Sequence, residues 1–205
     1  MKLFHKTVTL HKAMPWILII CGTIGLVCAL IIMYEKVAIM QNPSYVPSCN
    51  LNPTISCGSV MKSSQSHAFG FPNPFIGMVG FPIVVTTGVV LLAGVQKLKR
   101  WYWLGLQGGT MFGVLFIHWL AFQSIYRINA LCPYCMAVWC MTMLLFWYVT
   151  LYNVQTGVIR LRGGLQRAGY FARRHHIDIL GLWLLIMAGL ILHHFWYYYG
   201  QFFHL

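Results

Sequence analysis

Cys132-Pro133-Tyr134-Cys135 sets two thiols one helical turn apart at the head of an apolar run. A helix start carries free backbone N–H groups and a partial positive charge. That field favours thiolate over thiol, so a cysteine there ionises more readily and reacts faster. Pro133 suits a first turn, where its missing N–H costs little. The stretch reads as a reversible dithiol/disulfide at the top of a membrane helix. The same spacing also serves zinc sites, haem attachment and buried structural thiols. Haem attachment needs His directly after the second Cys, and Met136 stands there.

Around that stretch the 205-residue chain is 59% hydrophobic and 8% charged, against about 25% charged in soluble domains. These values describe an integral membrane protein. The net charge is +12, and Glu35 and Asp178 are the only acids. Because the bases lie between apolar runs, membrane orientation accounts for them better than a nucleic-acid partner does.

The hydropathy pattern predicts an all-α membrane protein with five transmembrane helices, at residues 14–37, 74–96, 101–124, 132–152 and 177–199. The first follows a basic start, as a signal peptide would. Its apolar region exceeds the roughly 7–15 residues of a signal, so a retained helix is expected. Trp101-Tyr102-Trp103 and residues 196–199 suit the aromatic belt at a membrane interface. Residues 155–176 form a polar segment with Arg160, Arg162, Arg167, Arg173 and Arg174. With the N-terminus inside, the inner segments hold eleven Lys and Arg. The outer ones hold three, Lys36, Lys62 and Arg127. The N-terminus is therefore expected in the cytoplasm and the C-terminus outside. Gly105, Gly108, Gly109 and Gly113 are expected to mark close helix approach in the third span.

Residues 41–73 form a polar outer loop too long for a tight turn, and such loops usually carry function or disorder. It holds Cys49 and Cys57, expected on a flexible segment. Both cysteine pairs then lie on the outer side, where disulfides persist. Thiol–disulfide exchange moves two electrons by thiolate attack on a disulfide. A mobile outer pair can meet a soluble partner and then pass electrons to a fixed pair at the membrane edge. The chain lacks a GxGxxG stretch for a flavin or nicotinamide nucleotide; the membrane itself offers lipid-soluble quinones. Two inert disulfides or a zinc site are the competing readings of the four outer cysteines. Cys21, Cys28 and Cys140 are expected to be packing thiols. Taken alone, Ser63 is a turn or cap residue, Asn73 a helix N-cap, His67 an exposed loop histidine and Trp139 a packing aromatic. A membrane scaffold with structural disulfides is the alternative to an enzyme. A transporter is disfavoured by the scarcity of ionisable residues within the spans.

The ordered set Cys49, Cys57-Gly58-Ser59-Val60-Met61-Lys62-Ser63, Asn73 and Cys132-Pro133-Tyr134-Cys135 resembles the vitamin K epoxide reductase (VKOR) family, in particular its bacterial homologues. The resemblance covers about residues 49–139, and hydropathy extends it to most of the chain. It implies four helices bundled around a quinone, ubiquinone or menaquinone, in a single VKOR-like domain over residues 1–205. It implies that Cys49 exchanges with a thioredoxin-like partner, that Cys57 passes electrons to Cys132, and that Cys135 faces the quinone. Ser63 falls to the loop chemistry, and Asn73, Trp139 and Met61 to contact with the quinone. Animal members often have Tyr where Trp139 stands, so the ring is kept and the hydroxyl is not. Many bacterial members carry a fused thioredoxin-like domain. None is seen here, so the expected partner is a separate periplasmic protein of the DsbA kind, and the expected location is the bacterial cytoplasmic membrane.

Overall fold

The computed structural model describes residues 2–42, 44–95 and 98–196. Gln96 and Lys97 of the second predicted span and its basic turn lie outside the described residues, as do Tyr197, Tyr198 and Tyr199 of the fifth. The described residues form seven α-helices and no strand: α1 Lys2–Gln41, α2 Cys57–Lys62, α3 Pro74–Leu92, α4 Arg100–Gln123, α5 Pro133–Gln155, α6 Gly164–Arg174 and α7 His176–His194. Five are long and apolar enough to cross a membrane, α4 continuing through a wider turn to Ile128. In lipid a helix satisfies its own backbone and turns apolar side chains outward. Trp16, Val27, Leu115 and Leu185 do so, each about half exposed or more. The chain is a multi-pass membrane protein, as its hydropathy predicts.

Helix α1 runs past the predicted end of its span to Gln41, which sets Glu35 and Lys36 more than a turn inside the helix rather than at its end. Met14 and Leu18 of α1 meet Phe81 and Val84 of α3 and Leu145 and Val149 of α5 in one buried cluster. A second cluster joins Val114, Ile117 and Ala121 of α4 to Trp139 and Met143 of α5. α7 leans on that pair. Its Trp183 Nε1 donates to His118 Nε2 at 3.1 Å, and the His176 carbonyl accepts from Trp147 Nε1 at 3.0 Å. Between α4 and α5, buried Asn153 donates to Gln107 Oε1 at 3.0 Å, and Gln107 donates to Thr150 at 2.9 Å.

Two expectations change. The polar segment 155–176 contains a helix, α6, with Leu165 and Phe171 exposed beside its arginines. The stripe of small residues in α4 does not mark a tight seam. A methyl added at Gly105, Gly108 or Gly109 would meet nothing within 4 Å; only at Gly113 would it meet a neighbour, Thr142, at 3.1 Å. A glycine row permits either close contact or a hollow, and here it makes a hollow. Close approach occurs instead between α1 and α3. A Cβ at Gly88 would stand 2.8 Å from the Pro15 carbonyl and 2.7 Å from Ile19. The carbonyl cannot step aside, so Gly88→Ala should cost about 1–3 kcal/mol. Thermal unfolding in detergent would register this as a lowered midpoint; an unchanged midpoint would mean that the seam yields.

Candidate active site

The site begins with two short loops held side by side. Asn52 Oδ1 accepts from the N–H groups of Thr54 and Ile55 at 3.0 and 2.6 Å, an Asx-type turn that redirects the chain. The Ser56 N–H then donates to the Leu131 carbonyl at 2.9 Å, and the Leu131 N–H donates to the Thr54 carbonyl at 2.8 Å. These two bonds pin residues 54–56 beside Leu131. The next residue on each strand of chain is a cysteine, and Cys57 Sγ lies 3.3 Å from Cys132 Sγ.

Each cysteine also stands at a helix end. Ser56 caps α2, its hydroxyl accepting from the Ser59 N–H at 3.3 Å, and Cys57 is the first helical residue. Asn50 Oδ1 accepts from the Gly58 N–H at 2.9 Å, which ties the Cys49 side of the loop to the same turn. Cys132 is the N-cap of α5. Its sulfur accepts from the Cys135 N–H at 3.4 Å, and Pro133 occupies the first turn as predicted. Cys49 and Cys57 form a disulfide, while Cys132 and Cys135 are free thiols. The loop pair is not on an open flexible excursion: Cys49 is 5% exposed, and Cys57 and Cys132 are fully buried. The Asn50, Asn52 and Leu131 bonds close the loop over the end of the bundle.

Hydrogen bonding from the Cys135 thiol holds the Cys132 thiol below its ordinary range, helped by the N–H groups of Cys135 and Tyr134. Burial and the charge of Glu35 oppose this and do not overcome it. Cys132 is therefore easier to ionise than an ordinary thiol, and its sulfur touches one sulfur of a disulfide, the contact from which thiol–disulfide exchange starts. The sign follows directly. Cys132 should stay reactive below the ordinary thiol range and lose reactivity only as pH falls through its lowered pKa. Cys135→Ala removes the leading hydrogen bond, so the half-maximal pH for alkylation of Cys132, read by peptide mass spectrometry, should move upward. An unmoved profile would assign the lowering to the helix end alone.

Below the sulfurs lies a cavity of about 760 Å³, mostly apolar. α3 packs on α1, α1 on α5 and α5 on α4, whereas α3 and α4 share no extended seam among the described residues. The cavity fills that side of the bundle. Gly77 and Gly80 of α3 and Gly105, Gly109 and Gly113 of α4 line it. At Gly80, Gly105 and Gly109 a side chain would project into space that no other atom fills.

Five of the eight candidate residues line this cavity: Met61, Ser63, Asn73, Cys135 and Trp139. The other three, Cys49, Cys57 and Cys132, form the sulfur cluster beside it. Ser63 donates its hydroxyl to the Val60 carbonyl at 2.7 Å. Asn73 sits in the N-cap position of α3 but makes no capping bond. Its Oδ1 accepts from the Ala68 N–H at 3.0 Å, and its Nδ2 donates to the Gln65 carbonyl at 2.8 Å. Asn73 thus fastens the loop rather than the helix. Cys21 and Cys28 are buried free thiols on α1, as expected.

Sequence reading missed Glu35 and Lys36 as site residues. Glu35 is 4% exposed; its Oε1 accepts from the Ser48 hydroxyl at 2.8 Å, next to Cys49. The Glu35 carboxylate, an acceptor near the Tyr45 hydroxyl, pushes the Tyr45 pKa up. Lys36 donates to the Met61 carbonyl and to Ser66 Oγ, the latter at 2.9 Å, and lines the cavity. The two neighbours grip opposite halves of the loop. The signal was present in the chain, since an adjacent acid and base at the end of an apolar run need partners.

The family model described as Vitamin K epoxide reductase family matches residues 16–150, a stretch that includes every candidate residue. No curated protein matches the chain.

Proposed function

Because the chain belongs to the vitamin K epoxide reductase family, we propose that it is a quinone-dependent membrane thiol–disulfide oxidoreductase. It takes electrons from a separate thioredoxin-fold protein of the DsbA kind and so supports disulfide formation. The observation that carries this reading is the contact of 3.3 Å between Cys57 and Cys132, with Cys135 on the wall of an apolar cavity. A pair of structural staples needs neither the contact nor the cavity.

The electrons balance as follows. The partner's dithiol attacks the Cys49–Cys57 disulfide, leaving as its own disulfide with Cys49 and Cys57 reduced. The Cys57 thiolate attacks Cys132 of a Cys132–Cys135 disulfide; the Cys57–Cys132 bond forms and Cys135 departs as thiolate. The Cys49 thiolate then attacks Cys57, which restores Cys49–Cys57 and frees Cys132. Two electrons have moved to the CxxC pair. The pattern of one bonded pair and two free thiols corresponds to this stage. Proton release at Cys132 is aided by its hydrogen bonds, as described.

The glycine-walled hollow and the apolar lining fit a flat ring with a lipid-like tail. Met61, Asn73 and Trp139 would hold a ubiquinone or menaquinone there, with Ser63 supporting the loop above. When bound, the quinone supplies a two-electron, two-proton acceptor for the dithiol. Residues 1–205 are read as one transmembrane domain in a bacterial cytoplasmic membrane, with the N-terminus in the cytoplasm and the redox loop on the periplasmic side. Anaerobic mixing of the protein with a reduced DsbA-like protein and a quinone, followed by quinone absorbance, tests the reading. Consumption that requires both protein components supports it; no consumption with both present overturns it.

A further inference from the structure

Lys36 is a buried cation in an apolar run and is 7% exposed. The sequence holds only two acids with which it could pair. Asp178 is 3.0 Å from His175. Glu35 accepts from Ser48 through Oε1, its Oε2 has no hydrogen-bond partner, and among the described residues it forms no ion pair with Lys36. The ammonium is held by two neutral acceptors, the Met61 carbonyl and Ser66 Oγ. It carries three donors, so one remains. Among the described residues, Lys36 is the one charged group on the cavity wall.

Several other polar groups on that wall have committed donors, and the Gln65, Gln123 and Trp139 donors that also line it are neutral. Thr110 and Thr142 donate to carbonyls of their own helices, at 3.1 and 2.8 Å. The Ser63 hydroxyl is spent on Val60, and Asn73 is tied into the loop at both ends of its amide. We propose that the Lys36 ammonium is the hydrogen-bond donor to the quinone oxygen on which negative charge builds as electrons leave Cys135. This rests on the quinone reading above and assigns a catalytic group within it. A fixed cation in a poorly solvated site stabilises developing charge more than a neutral donor does, and needs no reorganisation at the moment of reaction. An unpaired buried cation is costly at rest, so such residues in membrane spans tend to mark functional sites.

The competing role is a clasp that only holds residues 61–66 in place. Lys36→Met keeps length and apolar fit while removing charge and donor; Lys36→Arg keeps both. Three measurements on the same detergent-solubilised protein separate the roles. They are turnover with dithiothreitol and menadione, exchange of Cys49–Cys57 with dithiothreitol alone, and menadione binding in a Cys135→Ala background by tryptophan quenching. Lys36→Met should lower kcat roughly 100-fold, in the range for loss of a transition-state donor. Loop exchange, although Lys36 also bonds the loop, should change far less than turnover, menadione affinity should change less than about threefold, since a ground-state carbonyl is a weak partner, and Lys36→Arg should keep most of kcat. Undiminished kcat in Lys36→Met would overturn the assignment alone. So would a loss of loop exchange as large as the loss of turnover, which would make Lys36 a clasp. Wild-type protein that never oxidises dithiothreitol with menadione would overturn the quinone reading and this assignment together.

Discussion

Cys135→Ala protein is expected to reduce no quinone, with turnover at least about a thousandfold below wild type, as for loss of a group that no neighbour replaces. Cys135 is the free thiol on the cavity wall, whereas Cys132 is fully buried against Cys57. The same variant should leave a chemical record. With Cys132 retained 3.3 Å from Cys57, its thiolate can still attack that sulfur and displace Cys49. Of the two thiols that can resolve the Cys57–Cys132 bond, Cys49 by attack on Cys57 and Cys135 by attack on Cys132, only Cys49 remains. Non-reducing peptide mapping should therefore find a crosslink between the loop and α5 that wild type does not accumulate. Normal turnover, or a crosslink through Cys140 instead, would remove Cys135 from its role.

Cys57→Ala should cut the route upstream. The partner's dithiol loses its path to Cys132, because Cys57 is the sulfur in contact and Cys49 reaches the cluster only through its bond to Cys57. Partner-driven quinone reduction should fall at least about a thousandfold. With Cys57 absent, a small dithiol can still reduce the CxxC pair directly at Cys135 on the cavity wall, so dithiothreitol-driven reduction should survive within a fewfold. The split between the two electron donors is the diagnostic. Equal loss with both donors would point to collapse of the loop, and equal retention would mean that the partner addresses Cys132 directly.

Much of this protein was legible before any coordinates. The five spans emerged from hydropathy because a membrane helix satisfies its backbone within its own segment and needs only about 20 apolar residues in a row. Pro133 after Cys132 announced the start of α5 for an equally local reason. The α4 glycines were misread because spacing alone cannot tell a seam from a hollow; what lies opposite decides, and opposite Gly105 and Gly109 lies open space. α6 was overlooked because its arginines read as a charged connection, although Leu165, Ala168 and Ala172 recur with helical spacing. Asn73 occupied the expected position but bonded elsewhere, since the loop's unpaired Ala68 N–H and Gln65 carbonyl stood within reach of its amide.

The amino-acid order by itself determined the number of spans, the two cysteine pairs and the helix head that favours a thiolate at Cys132, because each depends on neighbours a few residues away. Only tertiary structure decided that Cys57 meets Cys132 across 75 positions of chain, that the helices leave a cavity between α3 and α4, and that Lys36 faces it. Those facts depend on the paired bonds at Leu131 and on which helix faces find each other, and a contact between distant segments leaves no periodic trace in either one.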